Sequence, residues 1–109
     1  MNSKLDVNLA IKKERDARKE SLKDYQLQKK FGITLAKYAE MHKEQNGVCL
    51  ICSQPERTPN RNLAVDHCHT TGKVRGLLCG HCNKGIGHFY DRIDLLNKSI
   101  EYLEKYAGN

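Results

Sequence analysis

Apolar residues are sparse in this chain and gather in short patches whose period changes along its length. Residues 1–30 carry nine Lys/Arg and five Asp/Glu without a Gly or Pro, and between Lys12 and Ser21 only Ala17 is apolar. Good helix formers dominate there and predict a helix. It has no apolar stripe to dock it, so it is expected on the surface, either as a solvated tail or laid against phosphates. A second helix is predicted from Thr34, a favourable N-cap, with Leu35, Tyr38, Ala39 and His42 on one buried face and Gly47 as its stop. Pro55 and Pro59 keep the polar stretch from Ser53 to Asn62 irregular.

The period then drops to two. Leu63-Ala-Val-Asp-His67 reads as a short strand, Thr70-Thr-Gly72 as a turn, and Lys73 to Leu78 as a returning strand. A short helix is expected from Asn83 to about Phe89. A last one places Leu96, Ile100 and Leu103 on one face, with Tyr102 and Tyr106 beside it. Hairpin and helix together make a ββα unit in a small α+β domain flanked by helices. The division expected is a basic arm over 1–30 and a folded domain over 31–109.

Composition adds a constraint on stability. With 109 residues, no Trp and two Phe, and a mean hydropathy of −0.72, the apolar core is thin and a crosslink matters. Five cysteines are an odd number for a disulfide framework. Four of them form two knuckles, Cys49-Leu-Ile-Cys52 and Cys79-Gly-His-Cys82, separated by 26 residues. Four thiolates close tetrahedrally on one zinc and leave no open position, so this zinc is structural. Cys68 lies outside both knuckles and is expected as a small buried hydrophobe facing away from its histidine neighbours. Reduced thiols, together with the absence of an apolar run near ~20 residues or a signal-peptide h-region, predict a cytoplasmic protein without a membrane partner. Nineteen Lys/Arg against thirteen Asp/Glu, a net charge of +6, favour a polyanionic partner.

Between and beside the knuckles lie the candidates for chemistry. Asp66 offers a carboxylate to a hard cation such as Mg²⁺ or Mn²⁺. His67 offers an imidazole to take a proton from a water attacking a phosphodiester. Adjacent strand residues point to opposite sides, so this pair needs a strand end or a distortion to reach one site. Asn83 follows a zinc ligand directly and is expected to give its amide oxygen to the same cation, or to cap the short helix. His69 shares the face of His67 and is expected to contact substrate or orient the site. Lys73 and Arg75 alternate on the returning strand and, with Lys84, are expected to line a DNA-backbone cleft unless that face is merely solvated.

These residues resemble a known family. The run Cys49-Leu-Ile-Cys52, Val65-Asp-His-Cys-His69, Gly72-Lys-Val-Arg-Gly-Leu-Leu-Cys79 and Cys82-Asn83 is similar to the recombination endonuclease VII family of phage-type HNH, or His-Me finger, endonucleases. The likeness extends over roughly residues 28–106. It implies a zinc-stapled ββα-metal core and Mg²⁺-dependent cleavage of DNA, in a phage-encoded or bacterial cytosolic setting. Carried over by position, Cys49, Cys52, Cys79 and Cys82 hold zinc, Asp66 and Asn83 hold Mg²⁺, and His67 is the general base, with His69 a second motif histidine. The family's junction-resolving member builds an intertwined dimer from longer helical parts than this chain has after its motif, and a homodimer stays open here. The rival reading is a non-catalytic zinc module that binds nucleic acid, which explains the knuckles and the charge but not the joint presence of Asp66, His67 and Asn83.

Overall fold

The computed structural model describes residues 4–108, so positions 1–3 of the basic arm lie outside the described residues. Six elements follow one another: α1 (Lys4–Phe31), α2 (Leu35–Glu44), β1 (Ala64–His67), β2 (Val74–Leu78), α3 (Gly80–His88) and α4 (Ile93–Tyr106). The charged arm is one continuous helix, and its polar composition leaves most of its length exposed. At 1.5 Å per residue α1 is about 42 Å long, which helps to explain why the molecule extends 75 Å in its longest direction.

Only the C-terminal end of α1 docks, through Leu27 and Phe31 packed against the core. Asp24 locks the corner that follows, because its Oδ1 accepts from the Leu35 amide at 2.8 Å. The first turn of α2 is thereby satisfied twice, since Thr34 is its N-cap and its hydroxyl accepts from the Lys37 amide at 3.0 Å. At the other end Gly47 adopts φ 71°, which a side chain would resist. The predicted start holds, but the stop falls one residue early, since Asn46 at φ 56° takes the left-handed place after the Gln45 cap and Gly47 follows it. Of the expected buried face, Ala39 and His42 are exposed, and Met41 packs inward beside Tyr38.

β1 and β2 form a two-stranded antiparallel sheet with Ala64 opposite Leu78, Val65 opposite Leu77 and Asp66 opposite Gly76. The next pair is His67 with Val74, so Arg75 has no partner and bulges from the ladder. Two pins from α2 fix this hairpin. The Tyr38 hydroxyl donates to the Leu63 carbonyl at 2.6 Å. The Gln45 side chain donates to the Leu77 carbonyl at 2.9 Å and accepts from the Leu77 amide at 3.0 Å, acting as a surrogate strand on the open edge of β2. Gly76 lets Leu50 close over the sheet, because a Cβ there would meet Leu50 Cδ1 at 2.5 Å.

The buried core is as thin as the composition implied: Cys49, Leu63, Val65, Leu77, Leu78 and Cys79. Two of these six are proposed metal ligands, so the metal cluster forms part of the core. α4 presents Leu96 half-buried, while Ile100, Leu103, Tyr102 and Tyr106 remain exposed. The small α+β architecture with a ββα unit flanked by helices is therefore as expected. One boundary differs. α3 begins at Gly80 and not at Asn83, because the Cys79 sulfur serves as its N-cap by accepting from the Cys82 amide at 3.4 Å.

Candidate functional site

The four knuckle cysteines come together, with their sulfurs all within 4.8 Å of one another. Cys52 Sγ and Cys79 Sγ are 3.7 Å apart, far beyond a disulfide bond. Tetrahedral zinc with bonds of about 2.3 Å requires sulfur separations of about 3.8 Å, so the cluster fits zinc with little rearrangement. The backbone prepares the charge. Burial opposes ionisation of Cys49, yet the amides of Cys52, Cys79 and Ile51 outweigh it and bring this thiol down to about 6. Cys82 goes the other way, pushed up to about 12 by burial and by its cysteine neighbours. Cys49 therefore ionises well before Cys82, so a cation arriving at the cluster meets one thiolate already formed.

Glu56, from the proline-containing loop, is tied to the same knuckle. Its carboxylate accepts from the Thr58 amide at 3.1 Å and the Gly80 amide at 2.8 Å, which hold it below the usual carboxylate range. It satisfies an orphan donor at the start of α3, the helix that carries Asn83. Since Cys79 and Glu56 serve that helix end, Asn83 is not a cap. Its side chain lies in the second turn and lines a cleft.

That cleft, about 630 Å³, is bordered by the end of α1, by Leu35 and Tyr38 of α2, by β1 and by Asn83 of α3. Asp66, His67, His69 and Asn83 all line it. The obstacle posed by strand alternation is met by the irregularity between Asp66 and His67, opposite the bulged Arg75. Among the described residues Asp66 is the one buried charged residue, 7 % exposed. Its two oxygens accept from Arg75 Nε at 2.6 Å and Nη2 at 2.9 Å. A carboxylate has about four lone-pair positions, so two remain for a cation. The His67 ring sits 5.5 Å from Phe31 and 4.8 Å from His69, centroid to centroid. Neither His67 nor the Asn83 amide makes a side-chain hydrogen bond among the described residues, so both stay available to a ligand.

Asp91 is a site residue that the sequence reading missed. Its Oδ2 accepts from Arg75 Nη2 at 3.1 Å and lies 3.6 Å from His69 Nε2. Tyr90 and Asp91 adopt φ 56° and 54°, an uncommon conformation for residues with side chains, in the turn that aims this carboxylate at the site. Its separation from Arg75 by 16 positions leaves no periodic signal. The Arg75 guanidinium, hydrogen-bonded to Asp66 and then to Asp91, is held even further above its ordinary pKa. It is thus committed to two carboxylates. Lys73 and Lys84 are exposed and stand outside the cleft lining, whereas Lys23 and Lys30 of α1 are within it. Cys68 follows the end of β1 half-buried, where the Thr71 hydroxyl and the amides of Thr71 and Thr70 bring its thiol down to about 7. It is polar in surroundings and not the buried hydrophobe expected.

The family model described as recombination endonuclease VII matches residues 24–105. Two similar proteins are both named Gene 59 protein. That of Mycobacterium phage D29 is 46 % identical over 76 residues, covering 69 % of this chain and 46 % of that protein. That of Mycobacterium phage L5 is 45 % identical over 74 residues, covering 67 % and 44 %. The chain therefore spans less than half the length of these curated relatives. Among solved structures, the ββα-Me type II restriction endonuclease Hpy99I aligns with a TM-score of 0.49 and 36 % identity, over 62 % of this chain and 42 % of that one. Among the described residues, no helix is long and apolar enough to cross a membrane.

Proposed function

This chain belongs to the recombination endonuclease VII family, and on that premise we propose that it is a metal-dependent endonuclease hydrolysing DNA phosphodiester bonds. The observation that carries the reading is the single cleft that gathers Asp66, His67 and Asn83 beside a four-thiol cluster. Cys49, Cys52, Cys79 and Cys82 hold a structural zinc. Asp66 and Asn83 supply oxygen ligands for Mg²⁺ or Mn²⁺, which would stabilise charge on the scissile phosphate and the leaving oxygen. His67 takes a proton from the attacking water through a ring nitrogen that no protein group occupies. Arg75 neutralises Asp66 while no substrate is bound, and Asp91 steadies Arg75. His69 orients the site from its exposed side, and Lys73 and Lys84 contact flanking phosphates.

The test is cleavage of supercoiled plasmid by purified protein with added Mg²⁺ or Mn²⁺. Nicked and linear products are expected, with loss of activity in Asp66→Asn and Asn83→Ala proteins that retain zinc. An inert wild type with full zinc would return the chain to a DNA-binding zinc module.

A further inference from the structure

Resting on the nuclease reading, we propose that α1 carries a basic track that grips the duplex DNA running out of the cleft. At 3.6 residues per turn, Lys12, Arg15, Lys19, Lys23 and Lys30 fall within a sector of about 80° around the helix. All five are exposed, and none has a hydrogen bond or ion pair among the described residues. Of the basic residues off this sector, Arg18 pairs with Glu14 at 3.5 Å and Lys29 meets the Tyr25 hydroxyl at 3.2 Å, while Lys13 stands exposed on the far face. Glu14, Glu20 and Asp24 fall outside the sector, and Asp16 stands at its edge. Charge on this helix is therefore sorted by face, which a merely solvated helix does not need.

The track is continuous with the site. Lys23 and Lys30 line the cleft that holds Asp66, His67 and Asn83. Farther along the same face, Lys12, Arg15 and Lys19 share one surface patch of the helix with Asn8, Ile11 and Asp16. From Lys12 to Lys30 the helix rises about 27 Å, the length of about eight base pairs at 3.4 Å each. A straight row of cations leading away from a phosphodiester site complements one duplex arm better than it complements an irregular acidic protein surface. Lys12, Arg15 and Lys19 also precede the matched residues 24–105, so family membership does not account for them.

The test compares two triple variants with the same loss of charge. One is Lys12→Gln, Arg15→Gln and Lys19→Gln on the track; the other is Lys13→Gln, Arg18→Gln and Lys29→Gln off it. All six side chains are exposed, and Gln is a good helix former, so both proteins should fold. Fluorescence anisotropy with a long duplex, without added divalent cation, gives the dependence of log affinity on log salt. The track variant should lose about 2.7 from that slope, for three phosphate contacts, while the control stays near wild type. On a duplex with fewer than about eight base pairs beyond the cleft, the wild type should approach the track variant. Equal slopes in the two variants, from a wild type that cuts plasmid, would overturn the track and leave the nuclease standing. A wild type that neither binds nor cuts DNA removes both.

Discussion

Asp66 and Arg75 form a two-pronged ion pair across the hairpin, Nε to Oδ2 at 2.6 Å and Nη2 to Oδ1 at 2.9 Å. The carboxylate is buried and the guanidinium keeps 39 % of its side-chain surface in solvent. Removing Arg75 therefore strands a buried charge. Arg75→Ala is expected to destabilise by about 2 kcal/mol, less than the 3–5 kcal/mol of a fully buried pair, because water partly screens the site. A denaturant titration measures it. The same substitution should tighten Mn²⁺ binding to DNA-free protein, since a competitor for Asp66 is gone. Paramagnetic resonance of free Mn²⁺ reads that change directly, and an unchanged affinity would detach Arg75 from the cation site.

Zinc retention should depend on pH with a definite sign. The Cys49 thiol is depressed to about 6 from an ordinary value near 9. It is thus charged above about 6, and the stability it contributes is lost as pH falls through that value. Zinc affinity, read by competition with a chromophoric chelator, should weaken further once pH falls below about 6, where Cys49 of the metal-free protein regains its proton. One zinc per chain is expected, and Cys79→Ser should give unfolded protein because this sulfur is both a ligand and the cap of α3.

His67→Ala separates chemistry from architecture. The ring makes packing contacts with Phe31 and His69 and no hydrogen bond among the described residues. Zinc content and fold should be preserved while single-turnover cleavage falls by about 10²–10⁴-fold, the usual cost of a lost general base. A variant that cuts as fast as wild type would end the assignment.

Gln45→Leu tests the surrogate strand. Leu77 is fully buried; its amide depends on the Gln45 side chain, whereas its carbonyl also accepts from the Leu50 amide at 3.3 Å. Leaving the amide unpaired should cost about 1–3 kcal/mol, the usual penalty for one buried donor. A change in unfolding free energy below 1 kcal/mol would mean that water or repacking serves the edge.

What the sequence disclosed and what it withheld divide along range. The knuckles, the hairpin and the Thr34 cap are local patterns of turn chemistry and spacing, and each appears within a residue or so of its predicted place. Contacts across the chain were not legible. Gln45 reaches Leu77 over 32 positions and Arg75 reaches Asp91 over 16, and no periodicity encodes either. The start of α3 was misjudged because sulfur is not a usual capping atom. The docked end of α1 was hidden because two apolar residues, Leu27 and Phe31, make no stripe.

The unpaired position of Arg75 also decides which changes of length the hairpin tolerates. The tip from Thr70 to Lys73 lies beyond the last strand pair, so residues inserted there would lengthen the turn and leave Asp66 facing its arginine. Deleting one residue between Val74 and Leu78 would instead absorb the bulge or turn over the strand, exchanging buried for exposed side chains. The turn can therefore change length without moving the site, whereas the five residues of β2 can lose none without displacing it.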